Sequence, residues 1–226
     1  MKSEFINIVS HQLRSPVTNI KWILDFLTSE DVSMTKEKKQ EYFGHLGENV
    51  SRMVELIDGL LLVSRIEQGS FPVSKRESDL KEIIEELIQG SKVFAEAFDL
   101  AVKFYPQQNM SQTYFDPTLV KLVVENLIDN AIRYSKKGGE IEIWLKERSD
   151  KIYFEIKDNG VGIPEADKKH IFKKFFRAEN SLKKKTWGSG LGLYIAKTII
   201  EKSGGKIWFD SKEGQGTAFY FTLPIK

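Results

Sequence analysis

The chain has 226 residues, a formal net charge of +2 and 29% charged residues, a composition typical of a globular protein with one large or two modest domains. This near balance of charge argues against nucleic acid as a main partner, and no apolar run approaches the roughly 20 residues that span a bilayer. Cysteine is absent from the sequence, which excludes disulfides and thiolate zinc sites and is typical of a reducing compartment such as the cytoplasm.

A long amphipathic helix is predicted over residues 3–29. Its apolar residues recur at alternating spacings of three and four, as in a helix that packs along another helix. They are Ile6, Val9, Leu13, Val17, Ile20, Leu24 and Leu27. His11 lies two residues from both Val9 and Leu13, which at about 100° per residue puts its ring on the opposite side of the helix. We therefore expect an exposed imidazole whose ring nitrogen can attack an electrophile. The pattern begins almost at the first residue, as in a piece of a longer protein.

A second helix is predicted to begin near Lys36, after a polar turn over residues 30–35. It carries apolar residues at the same spacing. They are Phe43, Leu46, Val50, Met53, Ile57 and Leu60. Two such helices form an antiparallel hairpin, and because a pair of helices buries little, we expect a second copy of the chain to complete a four-helix bundle. The alternative is a hairpin that packs on the rest of the same chain.

The rest of the chain has a different pattern. Residues 69–78 are predicted to form a linker with some strand character. Beyond it, helices are predicted over residues 79–98, 116–134, 166–175 and 191–203, and strands over residues 100–105, 140–147, 151–157, 206–211 and 217–223. This mixture favours an α/β sandwich with helices on one face of a mixed sheet. The sequence thus predicts an α+β chain, with a helical hairpin over residues 1–68 and a sandwich domain over residues 79–226.

Two asparagines lie one turn apart on the helix predicted for residues 116–134. Asn126 and Asn130 can therefore direct their carboxamides toward one site. Neutral oxygen ligands suit Mg²⁺, which keeps several waters and bridges to phosphates. An asparagine pair taken alone is also typical of a solvated helix surface.

A second motif, D-N-G-V-G-I, begins with Asp158 at the end of a predicted strand. A carboxylate there can accept a hydrogen bond from the exocyclic amine of adenine, and Gly160 and Gly162 let a base approach the backbone. In isolation the same residues would be interpreted as a turn.

A third motif, G-S-G-L-G-L, leads into the last predicted helix. Glycine-rich backbone at a helix N-terminus offers amide donors and a favourable dipole end to phosphate. The preceding residues 178–187 are polar, include three consecutive lysines, and are typical of a mobile lid or of a solvated run of charge. The aromatic motif before them, I-F-K-K-F-F-R over residues 171–177, fits a site or core packing equally well.

Together, the segments S-H-Q-L-R-S-P, N-x3-N-A, D-x-G-x-G-I, F-x2-F-F-R and G-x-G-L-G-L resemble, in this order, the catalytic core of sensor histidine kinases. The resemblance covers nearly the whole chain and implies a dimerising phosphoacceptor hairpin followed by a gyrase-like ATP-binding domain. It implies that His11 is the phosphoacceptor, Asn130 the Mg²⁺ ligand and Asp158 the residue that binds adenine. It further implies nucleotide contacts from Asn126, Arg133, Tyr134, Gly160, Gly162, Ile163, Phe175, Arg177, Gly188, Gly190, Leu191, Gly192, Leu193 and Thr217.

Two departures from the family pattern lie beside His11. Gln12 stands where the family commonly has an acidic residue, whose charge can orient the imidazole and stabilise its developing positive charge. The amide oxygen of Gln12 can still accept a ring N–H, so we expect transfer that is competent but slower. Ser15 stands where the family often has Thr or Asn, and its hydroxyl is compatible with dephosphorylation of a response regulator. His11, Gln12 and Ser15 are thus the expected catalytic residues.

The expected function is ATP- and Mg²⁺-dependent phosphorylation of His11, with transfer to an aspartate in the receiver domain of a response regulator. We expect a cytoplasmic homodimer without a membrane segment in this part of the protein. One alternative is a gyrase-like ATP hydrolase, which is disfavoured because such enzymes typically carry a glutamate base where Asn126 stands. Another is a nucleotide-responsive scaffold with little chemistry, which only Gln12 favours.

Overall fold

The computed structural model of the protein describes residues 2–29, 34–68, 73–111, 113–180 and 188–225, with side chains from residue 7 onward. It divides into two compact units, Met1–Glu67 and Gln68–Lys226. No helix in the described ranges is long and apolar enough to cross a membrane.

The first unit is a helical hairpin of α1 (Lys2–Thr28) and α2 (Lys36–Glu67), close to the predicted bounds. Most of the predicted turn between them lies outside the described residues. Helix α1 continues through Pro16, which is buried.

The hairpin carries two apolar faces. One face is buried and includes Ile23, Leu56, Val63 and Ile66. The other remains exposed and includes Val17, Leu24, Phe43, Val50, Val54, Ile57 and Leu61. The apolar residues that were predicted to pack along another helix lie partly on the exposed face, one residue away from the buried positions along the sequence. The reason is that the apolar stripe of each helix is wider than one partner helix can cover.

The second unit contains a five-stranded mixed sheet, as predicted, and a small two-stranded antiparallel sheet. In chain order its elements are β1 (Arg76–Ser78), α3 (Leu80–Ala97), β2 (Ala101–Pro106), β3 (Thr113–Phe115), α4 (Pro117–Tyr134), β4 (Glu140–Arg148), β5 (Lys151–Asp158), α5 (Gly192–Lys202), β6 (Lys206–Lys212) and β7 (Gly216–Pro224). The large sheet has the order β2-β4-β5-β7-β6, with β2 parallel to β4 and the other pairs antiparallel. Strand β1, at the end of the predicted linker, pairs with β3.

Helix α4 lies at the centre of the helical layer, in contact with α3 and α5. Its start is fixed by Asp116, whose carboxylate accepts hydrogen bonds from the backbone N–H groups of Thr118 and Leu119, with Pro117 in the first helical turn. Alternate residues of the central strands are buried beneath the helices, and Phe154 of β5 stacks on Phe221 of β7 with 4.6 Å between ring centroids. This packing fixes the strand ends that carry the candidate site.

The prediction of a helix over residues 166–175 is wrong. The structure has one 3-10 turn, Lys168–His170, and the backbone N–H groups of His170 and Lys173 bond carbonyls three residues earlier. Phe175 has a φ of 61°, which cannot continue an α-helix, and the side chain of Ile171 is buried. Strand β3 was not predicted from the sequence, because three residues are too few to show a period.

Candidate functional site

His11 lies on α1 and is exposed, which confirms the orientation expected from helical spacing. Ser15, one turn later, is exposed as well. The side-chain oxygen of Gln12 is buried and has no hydrogen-bond partner in the described part of the chain. The bond that this oxygen could accept from the His11 ring is therefore not formed in this structure.

In the second unit, three polar residues form one row across neighbouring strand ends. Asp158 of β5 lies opposite Thr217 of β7, and Thr217 lies opposite Ser211 of β6. Asp158 is 6% exposed, and its Oδ1 accepts hydrogen bonds from the backbone N–H groups of Gly160, at 2.8 Å, and Thr217, at 3.3 Å. The two bonds hold the carboxylate at the end of the sheet, where the sequence predicted an adenine contact.

The loop after Asp158 is held tightly between α4 and β6. The N–H of Val161 donates to the carbonyl of Tyr134 at 3.2 Å, and a Cβ at Gly160 would collide with that carbonyl. Gly162 has a φ of 65°, and a Cβ there would collide with the carbonyl of Lys212. These two glycines are therefore required by close backbone approach, and they bring the end of α4 beside Asp158.

Ser211 belongs to this site but was missed by the sequence analysis. Its hydroxyl accepts a hydrogen bond from the N–H of Ile163 at 2.9 Å and lies 2.9 Å from the Thr217 hydroxyl. The available signal was its place at the end of a predicted strand, opposite the threonine of a neighbouring strand. Ser211 thus joins the glycine loop to the row of strand ends.

Helix α4 presents its predicted residues to the beginning of α5. Asn126 donates from Nδ2 to the carbonyl of Leu122 at 2.8 Å, and its oxygen lies against Gly192. Asn130, one turn later, is half-buried, and Arg133 lies beside Gly188. The Asn126 amide therefore connects α4 to α5, whereas the carboxamide of Asn130 makes no hydrogen bond within the described residues.

The second glycine motif lies at the N-terminus of α5. Ser189 is buried and accepts a hydrogen bond from the N–H of Leu191, and no side chain of the described residues caps the helix. A Cβ at Gly190 would lie 2.6 Å from the carbonyl carbon of Phe175, which places the aromatic motif against the glycines. First-turn N–H groups without a cap can bind an anion such as phosphate.

The structure describes the remaining predicted nucleotide contacts but not the three lysines that lie between them in the sequence. Arg177 and Leu193 are half-buried on the two sides of the predicted lid. The three lysines of that lid lie in residues 181–187, outside the described residues. Asn180 donates to the carbonyl of Gly162 at 2.9 Å, so the start of this segment is tied to the glycine loop.

The residues around Asn130 fit a magnesium ion that is bound mainly by phosphate and water. Among the residues that the structure describes, no three His, Asp or Glu side chains gather into a cation site. A single carboxamide oxygen suits Mg²⁺, which keeps several waters and takes its other ligands from phosphates.

Two protein-family models match the chain. Residues 1–69 match the His Kinase A (phospho-acceptor) domain, and residues 115–226 match the histidine kinase-, DNA gyrase B- and HSP90-like ATPase family. The two matches follow the division of the structure into a hairpin and a sandwich.

Curated relatives align along the whole chain. The sensor protein kinase WalK of Staphylococcus aureus is 32% identical over 227 residues, which are 100% of this chain and 54% of that protein. WalK of Staphylococcus epidermidis is 33% identical, and the alignment covers 37% of it. The chain thus spans about half or less of the length of these relatives.

Solved structures of histidine kinases are also similar to this chain. The catalytic domain of histidine kinase ThkA is 31% identical, with a TM-score of 0.59, and the alignment covers 67% of this chain and 96% of that domain. A structure of ThkA in complex with the response regulator protein TrrA has a TM-score of 0.76 at 26% identity, and the alignment covers 99% of this chain and 61% of ThkA. Acinetobacter baumannii AdeS shares the fold, with a TM-score of 0.77 at 23% identity over 96% of this chain and 98% of that one.

Proposed function

The chain belongs to the histidine kinases, and from that premise we propose that it transfers the γ-phosphoryl group of ATP to a ring nitrogen of His11. The observation that carries this proposal is the exposure of His11 on a helix that matches the phospho-acceptor family, in one chain with a matched ATPase domain. The ring nitrogen attacks the γ-phosphorus in line, a P–N bond forms, and the bond to the ADP oxygen breaks.

The sandwich domain holds the nucleotide in this proposal. Asp158 accepts a hydrogen bond from the exocyclic amine of adenine, and Thr217 lies beside it. The N-terminus of α5 and its glycines donate N–H groups to the phosphates. Asn130 would hold Mg²⁺, whose charge neutralises the phosphates during transfer. The other residues to which the sequence resemblance assigns nucleotide contacts also contact the nucleotide in this proposal.

The proposal includes two partners. The first is a second copy of the chain, because the exposed apolar face of the hairpin, which includes Val17, Val50 and Ile57, is the kind of surface that completes a four-helix bundle. The second is a receiver domain of a response regulator, whose aspartate takes the phosphoryl group from His11. The complex of the similar kinase ThkA with the response regulator TrrA supports this choice. The exposed hydroxyl of Ser15 is available for positioning the water in the reverse, dephosphorylating reaction.

The test is incubation of the chain with γ-labelled ATP and Mg²⁺. We expect protein-bound label that is labile in acid and stable in base, and its loss in His11→Gln. His45 provides a matched control, because it is an exposed histidine on the other helix of the hairpin. His45→Gln should retain the label. Label that persists in His11→Gln would remove His11 from the reaction, and steady phosphate release without labelled protein would favour the ATP hydrolase.

A further inference from the structure

The hydroxyl of Ser211 lies within hydrogen-bond distance of three partners. They are the N–H of Ile163, the carbonyl of Gly216 and the hydroxyl of Thr217, each at 2.9 Å. A serine hydroxyl has one proton and two lone pairs, so three such contacts use its full capacity. The direction of each hydrogen bond can therefore be worked out.

Two of the three partners have a fixed polarity. The N–H of Ile163 can only donate and the carbonyl of Gly216 can only accept. Ser211 therefore gives its single proton to Gly216, and it accepts from Ile163. The Thr217 hydroxyl must then be the donor in its contact with Ser211. With its proton used in this way, Thr217 offers only lone pairs to any further partner.

The neighbouring residue in the row has the same polarity. The Asp158 carboxylate accepts from the N–H groups of Gly160 and Thr217 and has no proton to donate when ionised. Two adjacent strand ends thus present hydrogen-bond acceptors. A ligand that fits both must bring hydrogen-bond donors, as the exocyclic amine of adenine does, whereas guanine carries a carbonyl oxygen at the equivalent position.

We propose that Ser211 is a positioning residue that keeps the Thr217 hydroxyl as an acceptor and thereby makes the site selective for nucleotides with an amine at purine position 6. The inference rests on the proposed function, since it concerns the ATP site of the same domain. Ser211 acts through Thr217 and does not itself need to touch the nucleotide. Without Ser211, the Thr217 hydroxyl can rotate and donate its proton to a carbonyl oxygen on the base.

The experiment measures dissociation constants by calorimetry for ATP, for the triphosphate of unsubstituted purine riboside, which lacks the amine, and for GTP. In Ser211→Ala we expect the preference for ATP over GTP to fall about five- to tenfold, the value of roughly one hydrogen bond, because the freed Thr217 proton can bind the carbonyl oxygen of guanine. The preference for ATP over the purine riboside triphosphate, which has no such oxygen, should change less than about twofold. Ser211→Thr keeps a hydroxyl and should restore the preference. Thermal unfolding of each variant shows whether the domain remains folded.

A double-mutant cycle tests whether Ser211 acts through Thr217. In the Thr217→Val background, Ser211→Ala should change the preference less than about twofold, because the hydroxyl that it orients is gone. Full additivity, or an equal weakening of all three nucleotides in Ser211→Ala, would overturn the inference while the proposed kinase function stands. Failure of the unchanged chain to bind ATP would overturn both.

Discussion

The side-chain oxygen of Asn126 occupies the space in which a Cβ at Gly192 would lie. The Asn126 amide cannot turn away freely, because its nitrogen donates to the carbonyl of Leu122 at 2.8 Å. Gly192→Ala should therefore lower the free energy of unfolding by about 1–3 kcal/mol through overpacking. The roughly 1 kcal/mol that alanine gains over glycine applies to a helix interior, whereas Gly192 is the first residue of α5, so this gain should not offset the overpacking. Urea denaturation of the chain measures the difference.

The neighbouring Gly188 is the matched control. A Cβ there would lie 3.8 Å from Nη1 of Arg133, an ordinary contact, so Gly188→Ala should change the unfolding free energy by less than about 0.5 kcal/mol. Equal stability of the two variants would show that the approach of α4 to α5 does not require glycine at position 192.

Two substitutions at Asp158 separate its role in the fold from its role in binding. Asp158→Asn keeps an oxygen that can accept from Gly160 and Thr217, so the domain should remain folded. Its loss of charge should weaken ATP binding by about tenfold or more, because hydrogen bonds to charged groups contribute about 1.5–3 kcal/mol. Asp158→Ala should also destabilise the domain, since it leaves the two N–H groups without this acceptor. Calorimetric titration with ATP and thermal unfolding measure the two effects, and unchanged ATP affinity in Asp158→Asn would contradict the role in adenine binding.

Replacement of Gln12, the residue beside His11, should change the rate of autophosphorylation. Gln12→Glu should raise the initial rate of autophosphorylation by about tenfold or more, because positioned acid–base groups contribute about 10²–10⁴-fold. The reason is that a carboxylate at this position can orient the ring and stabilise its positive charge, which the Gln12 amide does not do. Rapid-quench measurement with labelled ATP gives the rate, and Gln12→Ala controls for the loss of the amide. A rate in Gln12→Glu no higher than in the unchanged chain would contradict the argument from charge.

We expect a loss of stability at high pH from the ionisation of Tyr220, which lies on the face of the sheet opposite the helices. Burial, with the charges of Glu155 and Asp210 nearby, raises the pKa of Tyr220 to about 12. The folded state therefore favours the neutral phenol. The stability that the neutral phenol contributes is complete below about pH 10, the ordinary pKa of tyrosine, and it is lost as the pH rises through about 12. Tyr220→Phe cannot ionise, so its unfolding free energy should decline less between pH 9 and 12. Tyr114→Phe, at an exposed tyrosine, should decline as the unchanged chain does.

The sequence predicted the long elements better than the short ones, for a physical reason. Helix α4 begins with an aspartate cap and a proline and carries seven buried apolar residues, so its bounds follow from local signals. The segment 166–175 was predicted as a helix, whereas the structure forms the turn Lys168–His170 there and the left-handed backbone of Phe175 cannot continue an α-helix. Ser211 was missed because one of its hydrogen bonds reaches 48 residues back along the chain, to Ile163, through the order of the strands. Motifs within one element can thus be found from spacing, whereas a contact between distant elements requires the topology.

The exposed apolar face of the hairpin predicts that the chain is dimeric in solution. Val50 and Ile57 lie seven residues apart on α2, are 50% and 42% exposed, and occupy equivalent positions two helical turns apart. Val50→Glu with Ile57→Glu should convert the dimer to a monomer, because each charge would have to be buried in the bundle. Light scattering after size-exclusion chromatography measures the mass. Ser51→Glu adds a charge at an exposed polar position of the same helix and should leave the dimer intact. A monomeric unchanged chain, or a dimer that survives both glutamates, would show that this face does not mediate self-association.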